Sequence, residues 1–310
     1  MVKKLNIIKI ENKKYPDMLK KIKNAPYKLY IRGDEEVLNM PCITVVGSRN
    51  MSDYGRDMTR KIVKELTLGG MCIVSGLAVG IDTIAHQTCL ENNGKTVAVL
   101  GSGLNKVFPA ENKELFNSII KSGGCVVSEY EPDTIAQKRF FPERNRIVSG
   151  LSLGTLVIEA TYRSGTSITA QCALEQGKKV FCIPNSIGNK NSAGIINLLK
   201  KGATLVTDGK EIMYELGILD KKENYEELVQ KQRLEKIRLL EQEELSQLDE
   251  IAVRVYQYIK ENKVVNFEIM CKDLEMNVQD INMYLTILEL KGLIENKYGV
   301  NYIVRDELYV

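Results

Sequence analysis

The chain has 310 residues, of which 44% are hydrophobic and 27% charged, and its formal net charge is +3. This is ordinary globular composition, so a collagen-like or disordered chain is excluded. No apolar run is long enough to span a bilayer, and the start, Met1-Val2-Lys3-Lys4-Leu5, lacks a signal-peptide apolar core, so a cytoplasmic protein without membrane contact is expected.

Residues 1–41 are lysine-rich, with 10 Lys+Arg against 5 Asp+Glu. They predict a short helix near Tyr15–Leu19 and an extended segment ending at Arg32-Gly33. This is too little for its own core, so residues 1–41 are expected to pack on the main domain, with the lysines as a solvated face. From residue 42 the pattern alternates. Strands are predicted over 43–47, 71–75, 96–100, 125–128, 155–159, 179–183 and 203–206. All are short and rich in Val and Ile, as strands buried on both faces should be. Helices are predicted over 53–68, 81–93, 111–121 and 165–176. Repeated βα units imply an α/β fold with an extended, Rossmann-like, mostly parallel sheet and helices on both faces, here over 42–216.

Ligands of such sheets bind at the carboxyl ends of the strands. There the chain places Gly47-Ser48-Arg49, Ser75-Gly76-Leu77-Ala78-Val79-Gly80, Gly101-Ser102-Gly103 and Ser164-Gly165-Thr166. Glycine turns let backbone N–H groups approach an anion, and the Arg49 guanidinium matches a phosphate. One such turn is weak evidence, but several on one edge form an extended anion-binding surface. The block Arg139-Phe140-Phe141-Pro142-Glu143-Arg144-Asn145-Arg146 has two readings. Rings and guanidinium groups suit stacked bases and phosphates. Equally, the two Phe could be core and the arginines could bond nearby carbonyls and carboxylates.

Residues 217–245 read as a charged linker with helical spacing of Leu228, Leu234, Ile237 and Leu240. Residues 246–310 predict three helices and a β-hairpin around Lys297-Tyr298-Gly299, the pattern of a winged helix. This region is acidic, with 7 Lys+Arg against 11 Asp+Glu. The predicted third helix has no Lys or Arg between Val278 and Leu290, so a protein-contact or regulatory role is expected rather than groove reading. The seven cysteines form no C-x-x-C pair and read as buried free thiols. A single histidine, His86, argues against a His-dependent triad or a His-rich metal site. No metal and no cofactor are expected.

The order Val46-Gly47-Ser48-Arg49, Ser75-Gly76-Leu77-Ala78-x-Gly80-Ile81-Asp82-x-x-Ala85-His86, Phe141-Pro142-x-Arg144-Asn145-Arg146 and Ser164-Gly165-Thr166-x-x-Thr169-Ala170 resembles the bacterial DNA-processing protein family DprA, also called Smf. The resemblance covers about residues 15–216. It implies a binder of single-stranded DNA that protects incoming strands and loads the recombinase RecA in natural transformation. It also implies a homodimer, with no catalysis. Carried over, it makes Arg49 the phosphate-holding arginine, flanked by donors at Gly47, Ser48, Gly76, Gly101, Ser102, Gly103, Ser164, Gly165 and Thr166. Arg144, Asn145, Arg146 and, more loosely, Lys113 extend the track, and Phe140 or Phe141 supports a base. This chain departs from the pattern in three places. Pro184-Asn185-Ser186 replaces Pro-Gly-Ser, with Asn185 expected to tolerate a left-handed backbone. The N-terminal region is short, and the tail is acidic.

Two other functions compete. Related nucleotide N-glycosidases carry a glutamate where this chain has Thr169. Glu159 lies nearby and is read as a structural acceptor for N–H groups or Arg163. Asp82 is read as the cap of its helix and His86 as a packed hydrogen-bond partner. A nucleotide-binding sensor would use the same turns but saturate with one nucleotide.

Overall fold

The computed structural model describes residues 5–220, 225–262, 265–297 and 301–304. The chain divides into two compact units, one up to Val229 and one from Gln230.

In the first unit the elements run β1 (Asn6–Lys9), α1 (Asp17–Lys20), β2 (Lys28–Gly33), β3 (Cys42–Val46), α2 (Asp53–Leu68), β4 (Cys72–Ser75), α3 (Ile81–Glu91) and β5 (Thr96–Val99). They continue with α4 (Lys113–Lys121), β6 (Cys125–Ser128), α5 (Phe140–Gly150), β7 (Gly154–Val157), α6 (Gly165–Glu175), β8 (Lys179–Cys182), α7 (Ala193–Lys200), β9 (Thr204–Leu205) and α8 (Gly209–Glu215). The nine strands form one sheet in the order β1-β2-β6-β5-β4-β3-β7-β8-β9. From β6 to β9 every neighbouring pair is parallel. β1 and β2 extend the β6 edge with antiparallel pairing. The N-terminal segment is therefore part of the sheet. Only its second strand carried a readable pattern.

β3 shows why these runs are strands. All five residues of Cys42-Ile43-Thr44-Val45-Val46 are buried. Alternate side chains enter opposite layers: Cys42 and Val46 join one core with Leu19, Ile147 and Ala170, while Ile43 and Val45 join another with Ile62, Leu66 and Ile81. Each fully buried Ile or Val stabilises by about 1.5–3 kcal/mol relative to exposure, and β-branched residues suit a pleat covered on both sides. Thr44 is tolerated there because its hydroxyl donates to the Val148 carbonyl at 2.7 Å.

The connections leave β3 in two directions. β4, β5 and β6 build outward on one side, and β7, β8 and β9 on the other. The crevice outside the carboxyl ends of β3 and β7 is the topological switch point, where adjacent loops diverge and leave room for a ligand.

After α9 (Tyr225–Leu245), which crosses the boundary between the units, the second unit contains α10 (Glu250–Asn262), β10 (Val265–Asn266), α11 (Phe267–Asp273), α12 (Val278–Leu290), β11 (Ile294–Lys297) and β12 (Asn301–Val304). Its strands pair antiparallel in the order β10-β12-β11. Its separate core gathers Val255, Tyr256, Ile259, Ile281, Leu285, Leu288 and Leu293. The hairpin tip expected at Tyr298-Gly299 lies outside the described residues, as do the side chains of Ile237 and Leu240 in α9. All seven cysteines are free; five are buried, and Cys172 and Cys271 are partly exposed. No helix among the described residues is long and apolar enough to cross a membrane.

Candidate nucleic-acid interface

The loops at the switch point hold each other. Gly47 ends β3 where a Cβ would meet the Ile81 side chain at 2.5 Å, so only glycine fits against α3. Ser48 then closes a side-chain turn: its hydroxyl donates to the Asn50 carbonyl at 2.9 Å and accepts the Asn50 N–H at 3.1 Å. This turn leaves Arg49 exposed. Ser52 caps α2 by accepting the Gly55 N–H at 3.0 Å. Glu159, buried after β7, accepts the Ser52 N–H at 3.0 Å, the Ser52 hydroxyl, and the Asn191 amide at 3.1 Å. Its carboxylate ties three segments together, without Arg163.

The loop after β4 is built around Asp82. The expectation that Asp82 caps α3 is corrected: the cap position is Gly80, at φ +88, and no side chain caps it. Asp82 instead accepts the N–H of Gly76 at 3.0 Å and, more weakly, that of Ala78 at 3.4 Å. It thereby holds Leu77 at φ +57, a conformation that a branched residue adopts only when its surroundings impose it. Arg144 comes up from α5 with 5% of its surface exposed. Its guanidinium donates to the Gly76 carbonyl at 2.7 Å and to the Val99 carbonyl. Burial lowers the guanidinium to about 10, with Asp82 opposing the shift, and burial also pushes the Asp82 carboxyl upward against the pull of Arg144. His86 is read correctly: its Nδ1 lies 2.7 Å from the Thr96 hydroxyl, and burial lowers the ring to about 3.

Above these loops lies a cleft of about 890 Å³. Among the residues expected at the site, it gathers Gly47, Ser48, Arg49, Gly76, Phe141, Arg144, Asn145, Ser164, Gly165 and Thr166. On one wall, the Arg49 guanidinium sits 5.6 Å from the Phe141 ring centroid, and the half-exposed Phe108 ring lies 5.5 Å from Phe141 on its own loop. On the other, α6 begins. Ser164 caps it by accepting the Ser167 N–H at 3.2 Å, Thr166 donates to the Gly47 carbonyl at 2.8 Å, and Asn145 donates to the Gly165 carbonyl at 3.1 Å. A Cβ on Gly165 would meet nothing within 4 Å, so this glycine faces open space. The first turn of α6 has no acidic residue, and its N–H groups and positive dipole end face an anion favourably.

Other expected residues lie elsewhere. Arg146 pairs with Glu129, at 2.9 and 2.6 Å through its two terminal nitrogens, and does not line the cleft. Lys113 stands exposed at the start of α4, also outside the lining. Gly101, Ser102 and Gly103 shape a turn beneath: Gly101 packs against the Phe141 ring, Ser102 is buried, and a Cβ on Gly103 would meet the Glu131 carbonyl at 2.1 Å. Phe140 is buried against Tyr130, with centroids 4.2 Å apart. The Arg139–Arg146 block thus divides between its two readings: Phe141 faces the cleft, while Phe140, Arg144 and Arg146 serve the structure. The tolerance expected of Asn185 is not called upon, since Asn185 is not among the residues with positive φ.

The lining also includes Phe108, Lys138, Lys190, Asn191 and Asn50, which sequence reasoning missed. Lys138 directly precedes the Arg139–Arg146 block, and Phe108 directly precedes Pro109. Lys138 could have been found by extending that block. Lys190 belongs to no pattern.

The family model "DNA recombination-mediator protein A" matches residues 6–217, which is the sheet unit. Protein Smf of Escherichia coli is 44% identical over 211 residues, 68% of this chain and 56% of that protein. The chain therefore spans little more than half the length of that relative. DNA processing protein DprA of Streptococcus pneumoniae is 44% identical over 201 residues, 65% of this chain and 71% of that protein. The X-ray structure of Streptococcus pneumoniae DprA superposes with a TM-score of 0.65 at 42% identity, covering 68% of this chain and 74% of the other. A Helicobacter pylori DprA structure, described by its single-stranded DNA binding mode, superposes at 0.62 with 29% identity, covering 70% of this chain and 98% of the other. The matches span the β-strand order, the switch-point turns and the cleft, and the chain belongs to the DNA recombination-mediator protein A family.

Proposed function

We propose that this chain binds single-stranded DNA in the switch-point cleft and acts in recombination by placing RecA on the bound strand. The observation that carries the DNA reading is the wall formed by Arg49, Phe141 and Phe108 opposite the start of α6. Rings stack any base, and a guanidinium with backbone N–H groups holds a phosphate. Only a strand whose bases are unpaired can offer a ring face to Phe141 while its phosphate reaches Arg49. Lys138 and Lys190 add positive charge to the same lining. The single-stranded DNA binding mode described for the Helicobacter pylori relative supports this reading.

No catalysis is assigned. The nearby carboxylates, Glu159 and Asp82, hold loops by accepting N–H groups, which fits a binder better than a glycosidase. RecA delivery, homodimer formation and a cytoplasmic location belong to the same proposal, and the likeness to the DprA and Smf relatives is what supports them. The acidic second unit, with no Lys or Arg in α12, suits a protein contact.

Binding of a labelled oligo-dT and of its duplex, by wild type and by Arg49→Ala, tests the cleft. Preference for the single strand, lost in the variant, is expected. Equal affinity for both DNAs, or no loss in the variant, defeats the reading. Strand exchange on protein-coated single strands tests RecA delivery separately, and light scattering tests the dimer.

A further inference from the structure

Between the end of β7 and the start of α6 lie Tyr162 and Arg163, flanked by the cleft-lining residues Thr161 and Ser164. Tyr162 is 61% exposed, so its ring is accessible beside the cleft. The Arg163 guanidinium lies 5.3 Å from the Tyr162 ring centroid. One side of the ring is thus occupied by a cation, and much of the rest remains open to solvent. Arg163 has no ion-pair partner among the described residues, whereas Arg56 pairs with Asp53 and Arg146 with Glu129. No Asp or Glu occurs from Thr161 to Ala170, so nothing acidic on this segment would repel a phosphate. Lys190 of the cleft lining is likewise exposed and has no ion-pair partner among the described residues.

The backbone adds a separate observation. Arg163 sits at φ +58, in the left-handed region. Glycine would adopt this conformation without the steric cost that an arginine bears. Its side chain is exposed, so packing does not explain why arginine stands there.

We infer that Tyr162 and Arg163 form a second nucleotide station on the lip of the cleft, taking the nucleotide that neighbours the one seated inside. Its base stacks on the open side of Tyr162, and Arg163 with Lys190 holds the connecting phosphate. The station rests on the reading of the cleft as a single-strand site, and it sets the side on which the strand leaves: toward β8 rather than toward β4.

The test uses the full chain, a labelled dT12 and a 12-mer of abasic sugar-phosphate. Tyr162→Ala is expected to weaken dT12 about tenfold, the scale of one lost stack, and to leave the abasic strand unchanged. Tyr162→Phe keeps wild-type affinity. Arg163→Gly weakens both probes, while its melting temperature rises by about 2 °C because the strain is relieved. If Arg49→Ala abolishes dT12 binding but Tyr162→Ala and Arg163→Gly bind as wild type, the station is overturned and the cleft stands. If Tyr162→Ala weakens both probes equally, Tyr162 is structural and the station is overturned. If Arg49→Ala also binds dT12 as wild type, cleft and station fall together.

Discussion

Arg144 and Arg49 look alike in the sequence, each an arginine beside a motif turn, but they differ in what replacement should do. Replacing Arg144 with Met keeps the length and apolar stem of the side chain and removes the guanidinium. The Gly76 and Val99 carbonyls then lose their donor, and Asp82 loses the cation that offsets its burial. Breaking a buried charged pair costs about 3–5 kcal/mol, and unsatisfied carbonyls belong to the same order of loss. Asp82 can take up a proton, since burial already favours its neutral form, which keeps the loss from growing larger. For a unit of this size, 3–5 kcal/mol corresponds to a drop in melting temperature of about 6–20 °C. Arg49 is exposed and has no ion-pair partner among the described residues, so Arg49→Ala should shift stability by less than about 0.5 kcal/mol while removing DNA binding. Calorimetry of both variants beside wild type checks this. If Arg144→Met melts with wild type and loses only DNA binding, Arg144 is a phosphate ligand and its structural assignment is wrong.

Two glycines should separate in the same way. Gly165→Ala is expected to leave the melting temperature nearly unchanged and weaken oligo-dT binding, because its Cβ enters open cleft, whereas Gly47→Ala should destabilise the fold through the contact with Ile81. His86 gives a pH signature. Its folded pKa of about 3 lies below the ordinary 6.5, so the unfolded chain binds more protons between those values, and stability is full above pH 6.5 and lost as pH falls. Between pH 6.5 and 5 the loss from this one group is about 1.7 kcal/mol by urea unfolding, and the chain's one imidazole resonance should show no titration near 6.5 by NMR. Salt should weaken oligo-dT binding with a log–log slope of about −2, from roughly three phosphates met by Arg49, Lys138 and Lys190, and Lys138→Ala should flatten it by about 0.7. A slope near zero would speak against phosphate contact in the cleft.

The strands were legible because a parallel strand covered on both faces leaves a compact record: Cys42-Ile43-Thr44-Val45-Val46 is apolar in both directions, apart from one threonine that finds a carbonyl. The glycine-rich strand ends were legible for a similar reason, since each close approach excludes a Cβ. α5 was not. Its buried set includes Arg144, Asn145 and Ser149, so the apolar periodicity that announces a helix is interrupted by the groups that tie it to the loops. The division of labour among the arginines was hidden too. Arg144 is defined by Val99, 45 residues away, and Arg146 by Glu129, so neither role leaves a local pattern. Phe108 and Lys190 belong to the cleft only because β3 and β7 are neighbours in space, with the chain between them taking the long route through β4, β5 and β6. Asp82 was misassigned for a smaller reason: a carboxylate near a helix start can cap the helix or fold back to the preceding loop, and spacing alone does not distinguish the two.

The central claim, that a single strand lies in the switch-point cleft against its aromatic wall, is tested most directly by photo-crosslinking. An oligo-dT carrying 5-iododeoxyuridine would be irradiated on the full chain and the adducts mapped by mass spectrometry. Adducts at Phe141 and Phe108, absent in Arg49→Ala, are the predicted result. Adducts confined to residues 230–310, or unchanged by Arg49→Ala, would contradict it.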